Sequence, residues 1–361
     1  MNLSDYKRIV IKIGSSLLVD DKYEIKIKWL ESLIADIDQL YKQGIEIIIV
    51  SSGAVALGRK VLNCMGRRCT LAEKQAASAI GQIKLSQVYQ SQFATFVINS
   101  AQVLLNINDI ETRQRYVNAQ NTLETLLKFR VIPIINENDT VATTEISYGD
   151  NDRLAARVAQ TINADLLILF SDIDGLYTAN PNIDKQAKFI KSVDVINDEI
   201  KSMAGESHTK ISSGGMITKI LAAEIAVNNG CNMLICNGKA LKPLSSLQNA
   251  GRFTLFKAQK IDQSAKKRWL AHHVKHSGAL TINEGALRAL RLGKSLLSVG
   301  VIECVGNFKA DDVLTIKDEQ GNTVAVGVAM LHAEVLKQVL LAKSYTPETK
   351  VIVHRNNMVL V

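Results

Sequence analysis

No run of 18 apolar residues occurs in the 361-residue chain, so no segment is long enough to cross a membrane as a helix. The first residues carry neither an apolar leader region nor a small-residue cleavage site, and the expectation is a cytoplasmic protein without a secretory signal. Cysteine is sparse: Cys64, Cys69, Cys231, Cys236 and Cys304 are scattered, with no CxxC and no histidine at finger spacing. That argues against a zinc site and a disulfide framework, and for small buried hydrophobes in a reducing compartment. Neither GxxxxGKS/T nor GxGxxG is present, which argues against a P-loop, a dinucleotide fold and a protein kinase. Internal repeats and low-complexity tracts are also missing, which excludes a repeat architecture.

What is present fits a soluble globular protein: 47% hydrophobic and 22% charged residues, in a chain long enough for two domains. The net charge of +8 is unevenly placed. The stretch 252–276 holds seven Lys and Arg against one Asp, whereas the parts before and after it are nearly neutral. A basic stretch between two neutral parts reads as a solvated connection, with attraction of a polyanion as the alternative.

Short apolar runs at Arg8–Ile13, Glu46–Val50, Val131–Ile135, Leu166–Phe170 and Met233–Cys236 alternate with helical periods at 27–41, 72–93, 114–128, 152–162 and 216–228. The runs are continuous rather than alternating in hydrophobicity, as in parallel strands buried on both faces. The expected fold is α/β, a doubly wound and mainly parallel sheet, over residues 1–258. A basic connection over 259–276 and a second domain over 277–361 are expected to follow. There the helical periods fade, strands are expected near 300–304, 313–316, 323–327 and 350–354, and DEQGN (318–322) reads as a hairpin turn. That domain is read as small and β-barrel-like.

Five polar clusters follow the apolar runs, where ligands of doubly wound sheets collect. IKIGSS (11–16) sends Lys12 out of a buried strand beside a Gly-Ser turn able to cradle phosphate. SSGA (51–54) offers Ser52 and a glycine for a tight turn, or simply a helix cap. PIINENDTVAT (133–143) with GDND (149–152) crowds amides and carboxylates, among them Asp139, Asp150, Asn151 and Asp152, against a buried strand. So many polar groups are costly there unless a ligand satisfies them, and they suit the polar ends of a small amino acid. SDIDGLYT (171–178) is an acidic loop able to hold ribose, or Mg2+ through water. Ser213 and GGMITK (214–219) open a helix whose bare N-terminus suits phosphate, with Lys219 on the same end. Two lysines from distant parts of the chain plus glycine-rich N–H donors are what phosphoryl transfer needs: alignment and charge neutralisation.

In this order the five clusters resemble the amino-acid kinase family, and SGALTINEGALRALRLGKSLL (277–297) with VGNF (305–308) resembles a PUA domain. The PIINENDTVAT–GDND pair is most similar to the members that phosphorylate the side-chain carboxylate of L-glutamate, rather than N-acetylglutamate or aspartate. The resemblance implies ATP as co-substrate with Mg2+ held mainly by its phosphates. Lys12 and Lys219 would stabilise the transferring phosphoryl group and Asp152 would orient them. Ser52, Asp139 and Asn151, with Asp150 nearby, would hold glutamate. Lys12, Ser171, Asp172, Ser213, Gly214, Gly215, Met216, Ile217, Thr218 and Lys219 would hold ATP. A homo-oligomer and feedback inhibition by proline are implied by the same resemblance. RNA is the partner a PUA domain suggests. Against it stands Asp311-Asp312 in FKADDV, where a more usual Arg-Gly turn would be: the acidic pair would repel phosphate.

Overall fold

Alternate residues of the first apolar run bury on opposite sides of one sheet: Ile9, Ile11 and Ile13 enter one core, Val10 the other. The computed structural model describes residues 1–106, 113–141, 151–181, 183–204, 215–249, 251–259, 277–310, 312–341, 350–355 and 358–360. It divides into two compact units, Met1–Lys260 and Ile261–Val361.

In the first unit the strands are β1 (Arg8–Ile13), β2 (Glu46–Val50), β3 (Ser100–Leu105), β4 (Ile132–Glu137), β5 (Leu166–Ser171), β6 (Leu176–Tyr177), β7 (Phe189–Ile190), β8 (Ser192–Val193), β9 (Asn232–Asn237) and β10 (Phe253–Phe256). Eight of them form one sheet in the order β3-β4-β2-β1-β5-β9-β10-β8. From β3 to β9 every neighbouring pair is parallel; β10 then runs antiparallel to β9. The helices are α1 (Ser15–Leu18), α2 (Ile27–Lys42), α3 (Ala54–Val61), α4 (Leu71–Ala94), α5 (Arg113–Lys128), α6 (Asn151–Thr161), α7 (Asp198–Ser202), α8 (Met216–Asn228) and α9 (Pro243–Asn249). Trp29, Leu33 and Ile37 of α2 and Leu85, Tyr89 and Phe93 of α4 cover one face. Leu123 of α5, Leu154 and Val158 of α6 and Ile220 and Ala223 of α8 cover the other. Burial on both faces explains why the strand sequences are continuously apolar.

Besides short elements such as α1, α7 and α9, the sequence reading did not anticipate β3 or α3. Strand β3 is at the sheet edge and only half-buried along most of its length, so its sequence lacks a strong apolar run. Helix α3 is eight residues long. It is fixed by close backbone contact with α4: a Cβ on Gly58 would fall 1.7 Å from the Ala77 carbonyl oxygen, and one on Gly81 1.8 Å from that of Ala54. Only glycine lets the two backbones approach so far.

In the second unit β11 (Gly278–Ile282), β13 (Val301–Gly306), β14 (Val313–Lys317), β15 (Thr323–Val328) and β17 (Met358–Leu360) make one sheet in the order β13-β11-β14-β15-β17. A second sheet pairs β12 (Leu296–Leu297) with β16 (Val351–Val353). Leu280 and Ile316 from the first sheet, and Leu296 and Ile352 from the second, share one core with Leu290 of α10 (Glu284–Arg291) and Leu336 of α11 (Ala333–Leu341). The DEQGN turn is a hairpin joining β14 and β15, with Asp318 accepting from the amides of Gln320 and Asn322 and Gly321 at φ +86°. Helix α11 was not expected. Asp311 and, of the expected connection over 259–276, residues 260–276 lie outside the described residues.

Candidate active site

Because β1, β2, β4, β5 and β9 run the same way, their carboxyl ends share one edge of the sheet. There the apolar sequence gives way to Lys12, Ser51 and Ser52, Asn136 and Glu137, and Ser171. The pleat points Lys12 to the same side as Val10, toward α6 and α8. These helices bring Asp152 and Lys219.

Asp152 is wholly buried, at 0% exposure, with Lys12 at 8% and Lys219 at 5%. Its Oδ1 is 2.6 Å from Lys12 Nζ, and its Oδ2 is 2.9 Å from Lys219 Nζ. Thr218 Oγ1 also lies 3.1 Å from Oδ2. Burial pushes the Asp152 pKa up, but the two lysines outweigh it and hold the carboxyl below the usual range. The triad is therefore two cations bridged by one anion, leaving a single net positive charge.

Two cavities flank it. The first, about 470 Å³, is lined by Lys12, Ser52, Asn136, Glu137, Asp139 and Asn151 among others. The second, about 590 Å³, has a more apolar wall that includes Leu176, Tyr177, Met203, Ala204 and Met216. Ser171, Asp172 and Lys219 line both, so the lobes meet at the lysine.

The first lobe is held by a web of amides. Asn151 Nδ2 lies 2.7 Å from the Ser51 carbonyl oxygen, 2.8 Å from Ser52 Oγ and 3.0 Å from Asn136 Oδ1. Asn136 in turn donates to Gln82 Oε1 at 2.8 Å. Ser78 Oγ donates to Asp139 Oδ2 at 2.7 Å. Burial raises the Asp139 pKa, and this hydrogen bond only partly offsets it. Gly53, at φ +102°, makes the turn from β2 into α3; a Cβ there would fall 2.9 Å from Val19 Cγ2.

Of the residues singled out by sequence, Lys12, Ser52, Asp139, Asn151, Ser171, Asp172 and Lys219 line the first lobe. Gly215 and Met216 line the second. Gly215 caps α8 without any side-chain hydrogen bond, as expected of a phosphate-ready terminus. Ile217 and Thr218 line neither cavity; Thr218 reaches the site through Asp152. Asp150, Ser213 and Gly214 lie outside the described residues. Arg59, Met203 and Ala204 were missed. Arg59 had a faint signal, one helical turn beyond the SSGA segment on the same helix. Met203 and Ala204 had none, since they follow the five-residue helix α7 in an unremarkable stretch.

The amino acid kinase family model matches residues 7–237, and the PUA domain model matches residues 278–348. The chain is 46% identical to a protein of Sinorhizobium fredii named glutamate 5-kinase, over 99% of this chain and 93% of that one. It is 47% identical to a protein of the same name from Brucella abortus, over 99% and 97%. Among solved structures, carbamate kinase from Giardia lamblia bound to AMP-PNP superposes with a TM-score of 0.50 at 16% identity, over 71% of this chain and all of that one. That likeness concerns the fold.

Proposed function

The chain belongs to the amino acid kinase family, and we infer from its two-lobed cleft how it performs the reaction of its relatives. It phosphorylates the side-chain carboxylate of L-glutamate with ATP, the first step of proline biosynthesis. The observation that carries the reading is the Lys12–Asp152–Lys219 triad at the junction of the lobes.

The first lobe takes glutamate. Its Asp139 and Glu137 carboxylates suit the free α-ammonium, which an acetamide would not replace. Ser52 lies where a carboxylate would meet a hydroxyl donor, on a wall that Asn151 fixes through its hydrogen bond to Ser52 Oγ. The second lobe takes ATP, with adenine against Met203, Ala204 and Met216 and the phosphates toward Gly215 at the N-terminus of α8. The γ-phosphoryl group then stands between Lys12 and Lys219, which neutralise the charge moving from the leaving oxygen to the attacking one. Asp152 keeps both ammonium groups aimed. No general base is needed, because the attacking carboxylate is ionised at pH 7.

A triad with one net positive charge is a weak counterpart for a nucleoside triphosphate, and this deficit fits Mg2+ on the phosphates. Such an ion would add the missing charge. Asp172, which lines both lobes, is the carboxylate placed to reach it through water. No described helix is long and apolar enough to cross a membrane. A cytoplasmic location, a homo-oligomeric state, inhibition by proline, and a kinase domain ending at residue 258 before a PUA domain from 277 all belong to this proposal.

The test is ATP turnover with hydroxylamine trapping, using L-glutamate, L-aspartate and N-acetylglutamate side by side. Hydroxamate is expected from glutamate alone. Equal or faster turnover of N-acetylglutamate would overturn the substrate assignment. Asp139→Asn is expected to raise the KM for glutamate about tenfold to a hundredfold, as for a lost charge-assisted hydrogen bond, with the KM for ATP unchanged. In the wild type that KM should also climb as pH falls through the raised Asp139 pKa, because protonation removes the charge facing the ammonium. The asparagine variant should lack this dependence. A change confined to the KM for ATP would mean that the lobes are assigned the wrong way round.

A further inference from the structure

Arg59, which lines the first lobe, has sulfur for a partner. Its Nε and Nη2 lie 3.3 and 3.2 Å from Cys69 Sγ, and Nη2 also donates to the Arg67 carbonyl at 2.9 Å. Cys69 and Cys64, 6% and 1% exposed, are the two inward residues of the otherwise exposed loop 62–70. Positive φ angles at Asn63 and Gly66 fold that loop back on itself. Cys69 Sγ stands 3.6 Å from the Cys64 carbonyl oxygen and Cys64 Sγ 3.6 Å from the Arg59 carbonyl oxygen, so both sulfurs turn inward toward the Arg59 end of α3. Arg59 lowers the Cys69 pKa, whereas burial raises those of Cys64, Cys231, Cys236 and Cys304. A thiol whose ionisation a guanidinium favours, held by an arginine that lines the lobe and with a second inward cysteine in the same loop, is the arrangement of a reactive cysteine with its resolving partner.

We propose that Cys69 and Cys64 form a peroxide-reactive dithiol, and that its oxidation to a disulfide releases Arg59 and weakens the hold of the first lobe on its substrate. The Cys69 thiolate attacks one peroxide oxygen. The O–O bond breaks, Cys69 becomes a sulfenic acid, and the other oxygen leaves as hydroxide and takes up a proton to become water. The Cys64 sulfur then attacks the sulfenic sulfur, the S–O bond breaks, and hydroxide leaves with the Cys64 proton as a second water. Two thiols lose two electrons and two hydrogens; one hydrogen peroxide is reduced to two waters. A dithiol reductant reverses the change. In the disulfide the sulfur can carry no charge, so Arg59 Nε loses its partner at the wall of the lobe and the guanidinium keeps the Arg67 carbonyl, on Nη2. The effect on glutamate rests on the assignment of that lobe; the disulfide does not.

The experiment treats the folded full-length chain with hydrogen peroxide and digests it without reduction. Trypsin cleaves after Arg67 and Arg68, between the two cysteines, so the bond appears as a pair of linked peptides. The expected result is that pair, formed before any change at Cys231, Cys236 or Cys304. It should come with a rise on the order of fivefold in the KM for glutamate, the effect of one displaced hydrogen bond, at unchanged KM for ATP. Dithiothreitol should reverse both. Cys64→Ser should stop at a Cys69 sulfenic acid that dimedone traps. Absence of the linked pair, or earlier oxidation of Cys304, overturns the dithiol; a linked pair with an unchanged KM overturns its coupling to the lobe. If the pair forms but the reduced chain does not turn over glutamate, the dithiol is upheld and the functional assignment falls.

Discussion

Asp152→Ala is expected to unfold at a much lower urea concentration than the wild type and to lose nearly all activity. The carboxylate is wholly buried between two lysines that are themselves almost inaccessible. Removing it leaves two like charges in a poorly solvated place, and breaking a buried pair from one side typically costs about 3–5 kcal/mol. The same linkage gives a pH dependence in the wild type. The folded pKa of Asp152 lies below its unfolded value of about 3.9, so its stabilisation is fully present above that value and is lost as pH falls through the folded pKa. The variant should lack this component. ATP should restore more stability to Asp152→Ala than it adds to the wild type, because the phosphates replace the missing anion between the lysines. Asp152→Asn separates charge from shape: it should keep the packing and lose the stabilisation. If Asp152→Ala unfolded at the wild-type midpoint, the lysines would not be held as a charged pair and the triad would not be the organising centre of the cleft.

Lys219→Ala should lower kcat on the order of a hundredfold while moving the KM for glutamate little. Losing one preorganised donor to charge that shifts in the transition state typically costs about 3 kcal/mol. Lys219 lines both lobes, and the proposed assignment of the lobes puts its ammonium where the phosphoryl group passes. In the variant Asp152 keeps Lys12 and Thr218 as partners, so the fold should survive and the kinetic readout should be clean. Lys12→Ala should behave alike. A variant in which kcat held and only a KM rose would reassign the lysine to ground-state binding.

Much of this site was legible in the sequence because parallel strands bury both faces and therefore announce their ends. Lys12, Ser52 and Ser171 each stand where an apolar run stops, and the crowding of NEND and GDND was too costly to be decoration. The partnership of Lys12, Asp152 and Lys219 has no local signal. It follows from the sheet order, which sets β1 beside β5 and stacks α6 and α8 above them. Met203 and Ala204 were hidden for a related reason: the wall of an apolar cavity needs only small or flexible side chains, which any loop supplies. Asn151 illustrates a subtler limit. Sequence marks it as a ligand-holding group, whereas its amide is already committed to Ser51, Ser52 and Asn136, so it shapes the lobe as well as facing it.

The contact between α3 and α4 has a bearing on how this chain tolerates change. Gly58 and Gly81 touch no reactant, yet a single methyl group at either would land within bonding distance of a backbone carbonyl. α3 carries Arg59 and α4 carries Ser78, the residue bound to Asp139, so prising the helices apart would shift both walls of the first lobe at once. In a survey of every substitution scored by activity alone, these two glycines would look as intolerant as Lys219. They would be mistaken for chemistry when their whole contribution is to be absent from the space between two helices.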